Sequence, residues 1–375
     1  QTETLPKSCH YRVISFTFVC MKQLILAFFI VNVSCCFSFA GGFQINSQGQ
    51  KQTGMGHTGT GFLTDASTLF FNPGAMIFLD TLSGVNAGSS FIIPRTQYLE
   101  PSPGIYTTEM VRNIQPSLTA CFAYKIKPWH KFNFGIGIYT PFGIRSQWEE
   151  NWKGQFIVRE VNLKTIFIQP SFSCMITKKL SVGGGPIYAA GSFDLRKGIF
   201  VQDTSGFYGQ ATLKGKVSGY GFNTGIYFCP DSNWSFGLDF RSGVKAGIKN
   251  GTASFAVAKS LADTFPPTAF SCTIPLPFTA SFGAGYKLNK KLSFALDINY
   301  TGWSSYDSLL IDLSYNNSRL EDIRSPRNYK SVFIFRIGSQ YILTKNVTLR
   351  AGAYYDMTPV PDGYLTPETP DADKT

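Results

Sequence analysis

Two cations near an alternating apolar stretch are the residues best placed to bind an anionic ligand. Residues 234–241 alternate apolar and polar side chains, so Arg241 falls on the same polar face as Asp239. Lys245 keeps that face if the alternation continues. An arginine in this position either pairs structurally with Asp239 or Asp297, or binds the carboxylate of an amphiphilic molecule. Both interpretations require a sheet with a polar inner face.

Side chains suited to catalysis are sparse. Only His57 and His130 follow residue 40, and no GxSxG motif occurs. The glycine-rich stretch GMGHTGTG, residues 54–61, lacks the GK[ST] ending of a phosphate-binding loop. The later cysteines are widely spaced, without a CxxC motif: Cys121, Cys174, Cys229 and Cys272. The sequence therefore predicts no enzyme activity, no bound metal and no cofactor.

The composition narrows the class of protein. Of the 375 residues, 15% are charged and 15% are aromatic, and the formal net charge is +11. Soluble domains carry about 25% charged residues, whereas a β-barrel with one lipid-facing and one polar face averages to a near-neutral hydropathy. The basic residues are scattered and form no recognition motif, so nucleic acid is not expected as a partner.

The N-terminal region has the pattern of an export signal. Met21 and Lys22 precede an apolar run from Leu24 to Val33, and Ser38-Phe39-Ala40 forms a small-x-small cleavage site. Residues 21–40 are therefore predicted to be a cleavable signal peptide, and residues 1–20 an upstream segment without a structural role. An apolar run this short cannot span a membrane as a helix.

From residue 83 the chain repeats segments in which apolar and polar residues alternate, for example 278–288, 292–301 and 347–356. This period of two indicates strands with one apolar face. Their length of about ten residues, their terminal aromatics and the alternation of tight with long connections favour a transmembrane antiparallel β-barrel over a soluble sandwich. The long connections 200–210, 250–275 and 304–328 are expected to be polar loops.

Eleven strands are predicted, near 83–93, 112–126, 131–142, 157–178, 179–198, 211–229, 233–249, 276–288, 291–304, 328–343 and 346–357. Bacterial single-chain barrels have even strand numbers, and an unpaired edge is not tolerated in lipid. Because residues 358–375 read as a Pro- and Asp-rich loop, the chain is expected to lack about three C-terminal strands.

The segment after the signal peptide carries a recognisable set of motifs: Gly42-Phe43-Gln44, the stretch 54–61, Asp65-Ala66 and Asn72-Pro73. Together with Tyr139-Thr140-Pro141-Phe142-Gly143 and the later Pro359-Val360-Pro361, it resembles the FadL family of outer-membrane long-chain fatty acid and hydrocarbon transporters. Where family members usually have Asn-Pro-Ala, this chain has Gly74 before Ala75. No basic residue follows Tyr188-Ala189 closely, so the resemblance leaves a fatty acid and a neutral hydrocarbon both open as substrate.

The resemblance implies an organisation and a mechanism. Residues 41–82 would form a hatch inside a barrel of residues 83–375, which in the family has fourteen strands. Hydrophobic molecules would pass by passive, hatch-gated diffusion and leave sideways through the wall into the outer membrane of a Gram-negative bacterium. The chain would act as a monomer surrounded by outer-membrane lipid and lipopolysaccharide. A non-transport barrel, either an adhesin or structural protein or an enzyme, is the alternative.

Roles follow for particular residues. Phe43, Arg241 and Lys245 are expected to bind substrate, and Asn72, Pro73 and Gly74 to form the gating turn of the hatch. Because proline cannot donate to a strand ladder, Pro141 predicts a break in the third strand. The expected kink and lateral opening comprise Gly137, Pro141, Phe142 and Gly143.

Overall fold

A computed structural model describes residues 41–80, 82–125 and 131–371. The predicted upstream segment 1–20 and signal peptide 21–40, together with His130, lie outside the described residues. No helix within the described ranges is long and apolar enough to cross a membrane.

One antiparallel sheet dominates the fold, and eleven of its strands follow one another in chain order. We call this path the wall. Its strands are β1 Ser83–Ile92, β4 Gln115–Lys125, β5 Phe132–Tyr139, β7 Glu160–Thr177, β8 Leu180–Gln202, β9 Tyr208–Phe228, β10 Trp234–Arg241, β13 Thr279–Lys287, β14 Leu292–Thr301, β17 Val332–Ile342 and β18 Thr348–Asp356. Each forms hydrogen bonds with its neighbour along the path, which confirms the predicted all-β class.

The wall buries its polar side chains and exposes its apolar ones. In β10, Asp239 and Arg241 are both 8% exposed, whereas the apolar Leu238 is 53% exposed. The same inversion occurs in β14, where Asp297 is 1% and Leu296 is 43% exposed. A sheet that points its leucines outward is built for an apolar surrounding, as the alternation predicted.

The two ends of the wall differ in their connections. Tight turns join β7 to β8, β13 to β14 and β17 to β18 at one end. At the other end, β8 and β9 are joined by a short turn, and the other four connections are long and contain further strands: β2 Gln97–Leu99, β3 Thr107–Glu109, β6 Gly143–Gln147, β11 Val244–Ala256, β12 Thr268–Leu276, β15 Ser308–Leu313 and β16 Ile323–Pro326. The expectation that 250–275 and 304–328 are polar loops is therefore wrong. The strands of these connections extend the sheet, and apolar side chains such as Phe270 and Ile311 are buried there.

Residues 41–80 lie against the buried face of the wall. They contain two single-turn helices, α1 Gln50–Thr53 and α2 Thr68–Phe71, followed by a 3-10 helix, Pro73–Phe78. A methyl group added to Gly88 of β1 would lie 2.7 Å from Gln50, and one added to Gly352 of β18 would lie 2.2 Å from Gly56. Since both terminal wall strands contact the same short segment, the wall curls around it.

Glycines on both sides make this close approach possible. A β-carbon at Gly237 of β10 would lie 1.9 Å from the carbonyl oxygen of Thr60, and one at Gly61 would lie 2.4 Å from the backbone of Gly283 in β13. Only glycine permits backbone to approach backbone this closely. The glycine-rich stretch is therefore a packing surface that matches inward-facing glycines of the wall.

Candidate functional site

The turn Asn72-Pro73-Gly74 fastens the hatch to the wall. The Asn72 side chain is fully buried, and its amide nitrogen donates to the carbonyl oxygens of Thr60 (3.1 Å) and Ile226 (3.0 Å). Its oxygen accepts from the Gly74 amide at 3.0 Å, which caps the 3-10 helix. Asn72 thus ties two parts of the hatch to β9.

Gly74 sits where a larger residue would collide with the wall. A β-carbon there would lie 2.5 Å from the carbonyl oxygen of Gly225, and Ser181 donates a 2.6 Å hydrogen bond to the Gly74 carbonyl. Gly183 faces the same turn, because its own β-carbon would lie 2.7 Å from the Gly74 nitrogen. The turn therefore packs against Gly183 of β8 and Gly225 of β9, which have no side chain to keep it away.

The third wall strand is broken where the sequence predicted. β5 ends at Tyr139 opposite Phe167, and β6 begins at Gly143 opposite Lys164, so one extra residue is accommodated at Thr140-Pro141-Phe142. Pro141 has no amide hydrogen to offer the ladder, which is why pairing stops there. Gly137 lies two residues inside the regular part of β5. Its role is to make room for Leu69, whose side chain would be 2.8 Å from an added β-carbon.

The hatch fills the gap in pairing from the inside. The Gly143 amide donates to the Phe43 carbonyl at 3.1 Å, and the Ile45 amide donates to the Pro141 carbonyl at 2.8 Å. Gln44 and Phe142 form the corresponding isolated bridge. The backbone of the break is therefore turned toward the lumen and satisfied by the first residues of the hatch.

As a result, the wall lacks strand pairing over a short stretch. β4 pairs with β5 up to Tyr139, and in the described structure β6 pairs only with β7. Beyond Tyr139, the Thr140 amide still donates to the Leu118 carbonyl at 3.1 Å, and the next backbone bond on the open side joins the Val111 amide to the Gln147 carbonyl at 2.7 Å. The opening thus lies between the start of β4 and β6, with Phe43–Ile45 behind it.

Phe43 belongs to a buried aromatic cluster that joins the hatch to the long-connection end. Its ring is 4.7 Å from Trp303, 5.6 Å from Tyr306 and 6.1 Å from Phe142, all edge-on. Aromatic pairs favour this edge-to-face geometry, and Phe142 of the cluster belongs to the break itself. The cluster therefore lies directly beside the strand break.

Arg241 is buried without a carboxylate partner. Its guanidinium donates to the Phe70 carbonyl and lies 4.1 Å from the Phe70 ring and 5.4 Å from the Tyr139 ring. No ion pair forms between it and either expected aspartate. Asp239 accepts from Asn223 at 2.9 Å, and Asp297 accepts from the amides of Gly59 and Thr60, at 2.8 and 2.9 Å. The structural interpretation of Arg241 as half of a salt bridge is wrong.

A second arginine, which the sequence analysis missed, faces the same small cavity of about 40 Å³. Arg336 donates to Asn299 at 2.9 Å and to Asn46 at 3.1 Å, and no carboxylate in the described ranges lies within ion-pairing distance of it. Arg336 is the charged residue in the otherwise apolar run 332–337, and this charge in an apolar strand could have revealed it. The cavity therefore holds two buried cations.

His57 also lines this cavity, and it is neutral. Its Nε2 accepts a 3.2 Å hydrogen bond from the Gln48 amide. Burial and the nearby Arg336 and Arg241 guanidinium groups hold the pKa of His57 well below its usual value, although the Gln48 bond opposes the shift. The sequence analysis gave His57 no role, whereas the structure places it between the hatch and the two arginines.

Lys245 is not near Arg241. Six steps from Arg241 to Gly247 oppose five steps from Asn223 to Ser218, so a one-residue bulge interrupts the alternation at Ser242-Gly243. A shift of one residue moves every later side chain to the other face. Lys245 is consequently exposed on the outer face, and the expectation that it shares the face of Arg241 is wrong.

The comparison with protein families identifies the chain. A family model described as "Outer membrane protein transport protein (OMPP1/FadL/TodX)" matches residues 31–375. The chain belongs to this family. It is an outer-membrane transport protein, and the predicted location in a Gram-negative outer membrane is confirmed at the level of the family.

The chain is similar to members of the OMPP1/FadL/TodX family in sequence and in fold. The long-chain fatty acid transport protein of Salmonella typhi is 23% identical over 363 residues, covering 90% of this chain and 82% of the relative. Outer membrane protein P1 of Haemophilus influenzae is 23% identical over 367 residues, covering 84% and 77%. Among solved structures, a Pseudomonas aeruginosa FadL homologue has a TM-score of 0.72 at 20% identity, covering 88% and 84%. The Pseudomonas putida toluene transporter TodX has a TM-score of 0.67 at 16% identity, covering 87% and 88%.

Proposed function

We propose that this protein passes hydrophobic molecules across the outer membrane by passive, hatch-gated diffusion, and that they leave sideways through the opening between β4 and β6. The observation that supports this route is the unpaired stretch beside Pro141, which the hatch residues Phe43–Ile45 cover from inside. An apolar molecule that leaves there enters the hydrocarbon layer without crossing water.

The hatch contacts explain how the route is closed and how it opens. Two backbone hydrogen bonds hold Phe43 and Ile45 to the break, and the Phe43 ring fills the space toward Trp303. Moving these three hatch residues inward would free the break without unfolding any wall strand. The cost is a few hydrogen bonds at about 1 kcal/mol each, which thermal motion and substrate binding together supply.

The two buried arginines make a carboxylate the preferred head group. The Nε atom of Arg241 is buried and unbonded, and neither arginine has an ion-pair partner among the described residues. Asp239 lines the same cavity but lies beyond ion-pairing distance of both arginines, so an anionic ligand that pairs with them directly gains affinity. We therefore favour a long-chain fatty acid, which agrees with the names of the Salmonella typhi relative and its counterparts in Escherichia coli.

The proposed organisation follows from this route. Residues 41–82 act as the hatch and residues 83–375 as the wall and its extensions, and one chain supplies the whole path. The protein therefore works as a monomer without metal or cofactor, and no catalytic step accompanies transport. Outer-membrane lipid surrounds the exposed apolar face and receives the substrate.

The strand break provides the direct test. Replacing Pro141→Val and Gly143→Val restores ladder donors and strand formers, so β4 and β6 should pair and the opening should close. We expect uptake of radiolabelled oleate to fall at least tenfold, while the heat-dependent gel mobility of the folded protein stays normal. The matched control changes Pro275→Val and Gly247→Val in β12 and β11, where Gly247 has free space around it. Unchanged uptake in the first variant, or equal loss in the control, would contradict lateral exit.

A further inference from the structure

Two wall strands, β7 and β9, change from apolar to cationic on their outer face. In β9, the exposed side chains from Phe228 to Tyr220 are mainly apolar, and the next cations are Lys216 and Lys214. In β7, the exposed Ile166 is followed by Lys164, which is also exposed. The change occurs toward the end of the wall that carries the long connections.

Strand register places Lys164, Lys216 and Lys249 near one level, with Lys214 closer to the long connections and Lys245 beside Tyr220. Lys164 of β7 is opposite Ser192 of β8, and Ser192 is opposite Lys216 of β9. On the other side of β9, Ser218 is opposite Gly247 of β11. Residues opposite each other or two apart share a face of the sheet, so the cations of β11 lie on the same outer surface. We call the exposed set the lysine row: Lys164, Lys214, Lys216, Lys245 and Lys249.

The lysine row is not neutralised by the protein. In the described parts of the chain, no carboxylate lies within 4.0 Å of any of these amines, although other surface pairs such as Lys153–Glu100 do form. Asp194, opposite Lys214, is the acidic residue within the row. Like charges on adjacent strands repel, so five lysines beside one aspartate favour an anionic partner.

The row lies where lipid head groups would be. Four residues along the strands from Ser192 and Lys216, the exposed rings of Tyr188 and Tyr220 face each other across β8 and β9 at 5.3 Å. Tyrosines mark the boundary between hydrocarbon and head groups. Twelve residues separate Lys216 from Phe228, which is about 30 Å of height at the usual rise and tilt, just beyond an apolar band of roughly 25 Å.

We propose that the lysine row binds the phosphorylated head group of lipopolysaccharide in the outer leaflet. The row crosses four adjacent strands, a width of about 14 Å at the usual strand spacing. A ligand with more than one phosphate matches this width, whereas a single free phosphate would contact only part of it. The site lies on the outer surface of the wall, so the inference does not depend on the proposed transport route.

Binding of fluorescent lipopolysaccharide to the purified protein in neutral detergent tests the inference. The variant carries Lys164→Gln, Lys216→Gln and Lys249→Gln. The matched control carries Lys178→Gln, Lys290→Gln and Lys345→Gln, three exposed lysines in the tight turns at the opposite end. Each row lysine contributes about fivefold to the affinity for an anionic membrane surface. We therefore expect about a hundredfold weaker binding for the row variant and unchanged binding for the turn variant.

Further measurements distinguish lipid-bound phosphate from free phosphate, and loss of charge from loss of folding. Lys→Arg at the same three row positions should retain binding, because the charge is kept. Dephosphorylated lipopolysaccharide should bind weakly to every variant, and 10 mM inorganic phosphate should not displace the intact lipid. Equal binding by the row and turn variants, or by intact and dephosphorylated lipid, would overturn the inference. Displacement by phosphate would assign the row to free anions instead. Oleate uptake should stay normal in the row variant.

Discussion

Asn72→Ala should release the hatch, because this side chain makes one hydrogen bond to the wall and two more that keep the hatch in its docked conformation. Its amide bonds Thr60 and Ile226, and its oxygen accepts from Gly74. The side chain is completely buried, so water does not replace the lost bonds unless the hatch moves. At about 1 kcal/mol for each bond, the docked hatch loses about 3 kcal/mol. That corresponds to roughly a hundredfold increase in the population of the undocked hatch.

Hydrogen exchange measured by mass spectrometry reports the population of the undocked hatch. The amides of Asn72, Ala75 and Leu79 are protected by hydrogen bonds within the hatch, to Thr68, Asn72 and Met76 respectively. When opening and closing are fast, exchange follows the opening equilibrium. Peptides spanning 68–79 should therefore exchange about a hundredfold faster in Asn72→Ala, while peptides from β14 should not change.

Asn86→Ala is the matched control. Asn86 of β1 also bonds the hatch, but through one 3.2 Å hydrogen bond to Asp65 in a partly exposed position. It should accelerate exchange less than tenfold, because one such bond is worth about 1 kcal/mol or less. Equal exchange in Asn72→Ala and the parent protein, or equal acceleration by the two variants, would refute the view that Asn72 is the main fastening of the hatch.

Three further predictions concern the same interface. Gly237→Val should displace the hatch at a cost of about 1–3 kcal/mol, because the valine side chain would overlap the Thr60 carbonyl. Planar-bilayer conductance should therefore rise, and no rise would contradict the proposed packing. Phe43→Ala should destabilise the docked hatch by about 3 kcal/mol, because it removes three edge-on ring contacts. Oleate uptake should change while the folded protein keeps its heat-dependent gel mobility, and unchanged uptake would show that Phe43 is not on the route. The pKa of His57 is lowered in the folded state, so docking is strongest above the unfolded value of about 6.5 and weakens as the pH falls below it. Hatch exchange corrected for intrinsic rates should therefore rise from pH 7.5 to pH 5 in the parent and stay flat in His57→Asn, and identical pH profiles would refute the assignment.

The local pattern of the chain determined the wall. A period of two along ten-residue segments decides which side chains share a face, because successive residues of a strand point to opposite sides. The eleven predicted strands accordingly appear as the eleven strands of the wall, and the lack of a donor at Pro141 located the break in β5. These properties depend on neighbouring residues, so the sequence alone predicts them.

Tertiary structure decided everything that depends on distant residues. A single bulge at Ser242-Gly243, stabilised by pairing with β9, moved Lys245 to the outer surface and into the lysine row. Arg241 is buried beside Arg336 without an ion pair because the hatch and four strands, β10, β13, β14 and β17, line one cavity. The periodicity of a segment cannot specify such partners, because the segment contains no information about which other segments pack against it.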